Sequence, residues 1–206
     1  MITTRSIVLS ILVIFFLPIP SSAVSLGPYS GKVIDSQTGD PIEGASVFFF
    51  WEKRVLGPVS SYSEVIEAKL VYAEKNGAYR IPQIVPNLGL SAMFESTCVI
   101  IYQPGYLAYI LYIFHDRLST KADSSFREKD NVVKLDRIPS HFNYREHIHR
   151  LKSTLIPIRA YDREDPVSGK KLTWQESMEL NLKKGVWEKE ELLRRAIWEE
   201  RRRGLR

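Results

Sequence analysis

Histidine side chains in the second half of the chain form its densest group of potential metal ligands. His141, His147 and His149 lie within nine residues, with Glu146 between them. Imidazole and carboxylate groups are common ligands of zinc and nickel. If Ser140 caps a helix, however, His147 and His149 would lie about 200° apart around it, too far to hold one ion. The pattern favours a surface helix with scattered histidines, and a metal site would need a further ligand from the fold.

Other patterns that support catalysis are missing from the sequence. There is no Gly-x-Ser-x-Gly elbow, no His-Glu-x-x-His pair and no glycine-rich phosphate loop. The acidic pairs at 164–165 and 199–200 are adjacent, so their side chains diverge on any regular element. Cys98 lies in the apolar run 98–102, which predicts a buried side chain, with a reactive or partner-pairing thiol as the alternative. We predict a non-catalytic protein without a cofactor. The competing hypothesis is a metal-dependent or hydrolytic envelope protein that uses the three histidines.

The first 23 residues have the pattern of an export signal. Arg5 precedes an uncharged apolar run at 7–17. This run is shorter than the about 20 residues of a membrane span and matches the roughly 7–15 residues of a signal-peptide core. Ser21 and Ala23 stand three and one positions before the cut that we predict after Ala23. We expect a periplasmic or extracellular protein, with an uncleaved N-terminal anchor as the alternative.

The composition of the 206 residues divides the remaining chain into two regions. Residues 24–140 contain 12 Lys or Arg against 13 Asp or Glu and are rich in Val, Ile, Phe, Tyr, Gly and Pro. Residues 141–206 contain 16 against 11 and are rich in Glu, Lys, Arg, Leu and Trp. The first region predicts strands and turns, and the second predicts a basic helical extension. One cysteine cannot form an intramolecular disulfide, so the stability of the protein must come from core burial.

Short β-prone runs in the first region predict six or seven strands, which is typical of a β-sandwich. The run 45–51 is apolar, aromatic and β-branched, too short for a buried helix. The uncharged segment 98–114 is divided by Pro104-Gly105 into two strands. A strand at 68–73 followed by the Lys75-Asn76-Gly77 turn and a strand at 79–81 predicts a hairpin.

The turn residues of this region carry a family resemblance. The chain reads Gly31-x-Val33-x-Asp35-x-x-Thr38-Gly39-x-Pro41-Ile42-x-Gly44-Ala45-x-Val47, then Asn76-Gly77-x-Tyr79-x-Ile81 and Gln103-Pro104-Gly105-Tyr106. Over roughly residues 29–137 it resembles the carboxypeptidase regulatory-like domain, a transthyretin-like β-sandwich found as a module in many exported proteins. The matching positions have scaffold roles. Glycine closes turns, and Asp35 and Thr38 can hydrogen-bond to turn amides.

The C-terminal region predicts helices and the surface where a partner would bind. Residues 173–176 read Thr-Trp-Gln-Glu, a capping box, and a final helix is predicted from Val186 to Arg203. Its apolar side carries Trp187, Leu193, Ala196 and Ile197, with Leu192 beside them. This side either packs on the sandwich or on the neighbouring helix, or docks on another protein. Its end carries the cluster Arg201, Arg202 and Arg203.

The expected partner is an envelope protein or a surface polysaccharide. The aromatic side chains that would serve sugar stacking, if exposed, are Tyr62, Tyr106, Tyr109 and Trp174. For the three tyrosines the sequence favours the alternative, packing in the core. Export argues against a nucleic-acid partner, although an arginine cluster would suit one. The cluster at 201–203 predicts either a solvated helix end, stabilised by the helix dipole, or a weak contact with anionic lipid head groups.

Overall fold

The structure, a computed structural model, describes residues 25–57, 61–89, 91–114, 126–139 and 186–204, together with His147 and Leu151. Within 186–204 the side chains of residues 188–199 and 202 are described. The predicted export signal at 1–23 and the predicted capping box at 173–176 lie outside these residues.

Seven strands and one long helix make up the described part of the chain. They are β1 (Tyr29–Asp35), β2 (Ser46–Leu56), β3 (Ser61–Tyr72), β4 (Ala78–Ile81), β5 (Ala92–Tyr102), β6 (Tyr109–Phe114), β7 (Asn131–Leu135) and α1 (Val186–Gly204). One sheet has the order β4-β1-β7, with β1 antiparallel to β4 and parallel to β7. The other has the order β3-β2-β5-β6 and is antiparallel throughout. None of the described helical residues forms a segment long and apolar enough to cross a membrane.

The prediction of a mainly β sandwich with six or seven strands and a C-terminal helix is confirmed. Two details of that prediction were wrong. The third strand runs over Ser61–Tyr72 rather than 68–73. The strands β3 and β4 do not form a hairpin, because the turn at Gly77 carries the chain from the four-stranded sheet to the three-stranded one.

Strand β2 is apolar over 47–51 because both of its faces are buried there. Val47, Phe49 and Trp51 point between the two sheets, where they pack with side chains from β1, β4, β5 and β7. Phe48 and Phe50 point to the opposite face, which we call the outer face of the four-stranded sheet. Successive side chains of a strand alternate between faces, so an unbroken apolar run requires a layer on each side.

Helix α1 supplies that second layer. Leu193 and Ile197 are 1% and 0% exposed and pack on the outer face with Phe48 and Phe50. At the edge of the sheet, Nζ of Lys189 donates a hydrogen bond of 2.7 Å to the backbone carbonyl of Ala68 in β3. The helix is therefore a third layer of the packed fold.

Candidate functional site

A carboxylate at the end of β1 joins three loops of the sandwich. Oδ1 of Asp35 accepts hydrogen bonds from the backbone N–H groups of Gln37 at 2.9 Å and Thr38 at 3.1 Å. Its Oδ2 accepts from the hydroxyl of Tyr106 at 3.0 Å and from Nε of Arg137 at 2.7 Å. The loop after β1, the turn after β5 and the residues after β7 are thus fixed to one side chain.

The charges at this junction stabilise the ionised form of Asp35. The hydrogen bond from Arg137, followed by the one from the Gln37 amide, holds the pKa of the Asp35 carboxyl well below its usual range. Burial and the neighbouring carboxylate raise the pKa of Tyr106. Both carboxylate oxygens of Asp35 already have two partners each within the protein, so the junction supports a scaffold role. Tyr106 is half-buried in it rather than presented as a platform for a sugar.

Two glycines of the matched motif lie where a side chain would not fit. A Cβ atom on Gly31 would lie 2.3 Å from the carbonyl oxygen of Asn131 and 2.7 Å from the hydroxyl of Tyr79. Gly77 has a φ of 74°, and a Cβ atom there would lie 2.4 Å from the carbonyl oxygen of Val33. Gly39, Gly44 and Gly105 also have positive φ, Pro41 forms a bridge with Ile34, and Thr38 Oγ1 accepts from the Asp40 amide.

One of the three candidate metal ligands is described, and it is buried. His147 is 7% exposed, and its Nε2 accepts a hydrogen bond of 3.4 Å from the Ala108 amide. His141 and His149 lie outside the described residues. Among the residues whose placement is described, no group of three His, Cys, Asp or Glu side chains is arranged to hold a metal ion. Cys98 is fully buried on the outer face of the sheet, as predicted.

Two residues of the predicted partner surface lie on the inward side of α1, where they are buried. Leu193 and Ile197 are covered by the sheet, so neither side chain is accessible to another protein. The alternative that the sequence left open, packing of the helix on the sandwich, therefore applies to both. The side chains of Trp187, Arg201 and Arg203 lie outside the described ones.

The outward side of α1 presents an aromatic and basic surface. Trp198 is 50% exposed, and the guanidinium of Arg202 lies 4.6 Å from the centre of its ring. A groove of about 530 Å³ is lined on this side by Glu191, Arg194, Arg195, Trp198, Glu199 and Arg202, and it borders the buried Ile197. We call it the α1 groove. Arg202 was a sequence candidate, but Trp198 was missed, although its spacing of four residues from Arg202 places both on one side of a helix.

The buried side of α1 also differs from the apolar side expected from the sequence. Leu192, which was placed beside that side, is 50% exposed, whereas Glu190 is 1% exposed. Glu190 is three residues before Leu193, so it shares the inward face. Its carboxylate accepts a hydrogen bond of 2.6 Å from Nε of Arg194. Burial raises the pKa of Glu190 to about 7, against the opposing effect of Arg194.

A comparison with protein-family models finds no match, and a comparison with curated proteins finds none either. Among solved structures, a Streptococcal ancillary pilin is 16% identical over 55% of this chain and 30% of its own, with a TM-score of 0.27. Hydroxyquinol 1,2-dioxygenase from Pseudomonas putida DLL-E4 is 12% identical over 57% of this chain and 58% of its own, with a TM-score of 0.30. The chain thus spans less than two thirds of either structure. At these TM-scores neither likeness bears on function.

Proposed function

We propose that this protein is an exported, non-catalytic binding or accessory module of the cell envelope. It engages a protein partner or a surface polysaccharide through the α1 groove. The observation that carries this proposal is Trp198, half-exposed beneath the guanidinium of Arg202. A large aromatic side chain and an arginine are the residues that most often dominate the energy of binding interfaces. Tryptophan can also stack on a sugar ring.

The division of α1 into two faces supports this proposal. Its inward residues Leu193 and Ile197 are used by the core, so the outward residues are those that a partner can reach. The region from 141 to 206 also carries the net positive charge of the chain, with 16 Lys or Arg against 11 Asp or Glu. We propose in addition a weak contact of the 201–203 arginines with anionic lipid head groups. Nucleic acid is not a proposed partner.

The export part of the proposal rests on the sequence of residues 1–23 and on the resemblance of 29–137 to carboxypeptidase regulatory-like domains. N-terminal sequencing of the protein isolated from cells tests it. We expect the mature chain to begin at Val24 and to fractionate with the periplasm or the medium. Cytoplasmic protein that retains residues 1–23 would contradict export and leave the question of binding untouched.

The competing hypothesis, a metal-dependent or hydrolytic protein built on His141, His147 and His149, has no observation that favours it over binding. The Nε2 atom of His147 is already engaged by a backbone amide. The metal content of the dialysed full-length protein tests this hypothesis, since stoichiometric zinc or nickel would restore it.

Recovery of partners from the organism's own envelope fraction tests the binding surface. We expect the full-length protein to retain a partner that a Trp198→Ala/Arg202→Ala variant retains at least about tenfold less. Lys134→Ala serves as the control, because Lys134 is an exposed cation on β7 in the other sheet. Deleting the helix is unsuitable as a test, since its removal would uncover Phe48 and Phe50. Equal recovery by the double variant and the wild type would contradict the proposed surface.

A further inference from the structure

The layer that α1 forms on the sheet contains a buried acidic side chain. Glu190 is 1% exposed and lies on the inward face of the helix with Leu193 and Ile197, which are themselves fully covered. An ionised carboxylate is costly to remove from water unless its partners replace the lost hydration. The number and position of the groups that face Glu190 therefore decide whether the helix packs equally well at every pH.

Glu190 has one close partner among the side chains that the structure describes. Nε of Arg194 donates to its Oε1 at 2.6 Å, and the side chain of Arg194 is itself about one quarter exposed. Lys189, the neighbouring residue, turns to the sheet edge instead, where it contacts Glu67 at 3.6 Å and the carbonyl of Ala68. Burial outweighs Arg194 and raises the pKa of Glu190 to about 7, and the negative charge of the adjacent Glu191 adds a smaller effect in the same direction.

Other titratable groups near this interface contact residues other than Glu190, or lie where charges of both signs are already close together. On β3, Glu67 lies 3.4 Å from Lys69 and 3.6 Å from Lys189, so that edge already combines both charges. On the covered face of the sheet, the carboxylate of Glu52 accepts a hydrogen bond from Ser96. Within the described ranges of the chain, the other titratable groups on or beside that face are Cys98, Tyr102, Tyr112 and His147.

We propose that the packing of α1 on the outer face of the four-stranded sheet is a pH-sensitive contact, which tightens in acid and loosens above neutrality. When the helix separates from the sheet, Glu190 returns to water and to an ordinary pKa of 4.5. The packed state therefore binds a proton more tightly than the separated state, and acid favours packing. This contribution is complete below pH 4.5 and is lost as the pH rises through about 7.

Opening of this contact would change the surface of the protein. Phe48, Phe50 and Val65 lie beneath the helix and would become accessible to water or to another chain. The pH of the surroundings thus sets how often this apolar face is uncovered.

Hydrogen exchange of the α1 backbone amides in the full-length protein tests the proposal at about pH 6 and about pH 8.5. Results are expressed as protection factors, so that the intrinsic effect of pH on exchange is divided out. The two pKa values imply that protection in the wild type is about tenfold higher at the lower pH. Glu190→Gln removes the titration, and its protection should be equal at the two pH values.

Glu188→Gln is the matched control, because Glu188 is an exposed acid two residues earlier in the same helix. It should retain the wild-type difference. His147, whose Nε2 accepts a hydrogen bond from the Ala108 amide, is common to the wild type and both variants, so it does not affect the comparison between them. Equal wild-type protection at both pH values overturns the proposal, even if Glu190→Gln does not fold. An undiminished difference in Glu190→Gln, or in Glu190→Met, does so as well.

Discussion

Nε of Arg137 donates a hydrogen bond of 2.7 Å to Oδ2 of Asp35, across 102 positions of the chain. The two residues lie at the same end of two adjacent parallel strands, since β1 ends at Asp35 and β7 ends two residues before Arg137. Tyr106, from the turn between β5 and β6, donates to the same carboxylate oxygen. One buried carboxylate therefore connects the two sheets of the sandwich at one end, and its ionisation becomes part of the stability of the fold.

Replacing Asp35 by Asn should lower the midpoint temperature of thermal unfolding at neutral pH. It should also make that midpoint less dependent on pH in acid. The pKa of Asp35 in the folded protein lies below its ordinary value of 3.8, so its contribution is present above that pH and is lost as the pH falls below it. Thermal unfolding of wild type and variant from about pH 7 to about pH 3 measures this. The gap between their midpoints should be constant near neutral pH and should narrow as the pH falls below 3.8.

Asp40→Asn is the control for this prediction, because Asp40 is exposed in the same loop. A constant gap between the wild type and Asp35→Asn at every pH would show that the ionised carboxylate contributes nothing specific.

Gly31 is expected to tolerate no side chain. Gly31→Ala would place a Cβ atom 2.3 Å from the backbone oxygen of Asn131 in the neighbouring strand, so β1 and β7 must separate. We expect the free energy of unfolding to fall by more than about 2 kcal/mol.

The control is Gly44→Ala, where a Cβ atom meets nothing within 4 Å and only the positive φ of 74° opposes the substitution. It should cost about 1 kcal/mol. Denaturant unfolding measures both variants, and a cost for Gly31→Ala no larger than for Gly44→Ala would argue against the close approach.

The inward side chains of Leu193 and Ile197 in α1 should contribute strongly to stability. Leu193→Ala and Ile197→Ala each remove a fully buried side chain from the outer face, and each should lower the free energy of unfolding by about 2–5 kcal/mol. Leu192→Ala, at an exposed position one residue away, should change it by less than about 0.5 kcal/mol. Equal effects of Leu192→Ala and Leu193→Ala in urea unfolding would show that α1 does not form a third layer.

The sequence predicted those parts of the fold that depend on local signals. Glycines at positive φ, such as Gly39 and Gly77, mark turns because few other residues adopt that conformation. The residues of a turn do not determine which sheet the next strand joins. For that reason the prediction of a hairpin through Gly77 was wrong. Sheet membership depends on partners far away in the chain, such as the pairing of β1 with β7.

The faces of α1 were predicted less well than its extent. The expected range Val186–Arg203 agrees with Val186–Gly204. Hydrophobicity, however, placed Leu192 beside the buried side and gave no reason to bury Glu190. The i to i+4 spacing of Glu190 and Arg194 was visible in the sequence, but the burial of the pair depends on the sheet beneath it. Trp198 and Arg202 were not recognised as a pair because the exposure of Trp198 is a tertiary property.

Photo-crosslinking in cells from position 198 tests the central claim, that the outward face of α1 binds an envelope partner. A photoreactive residue replaces Trp198 in the full-length protein, and the matched control carries it in place of Val132, which is 59% exposed on the other sheet. We predict a discrete crosslinked product from position 198 that is missing from position 132. No product from position 198, or the same product from both positions, would contradict the claim.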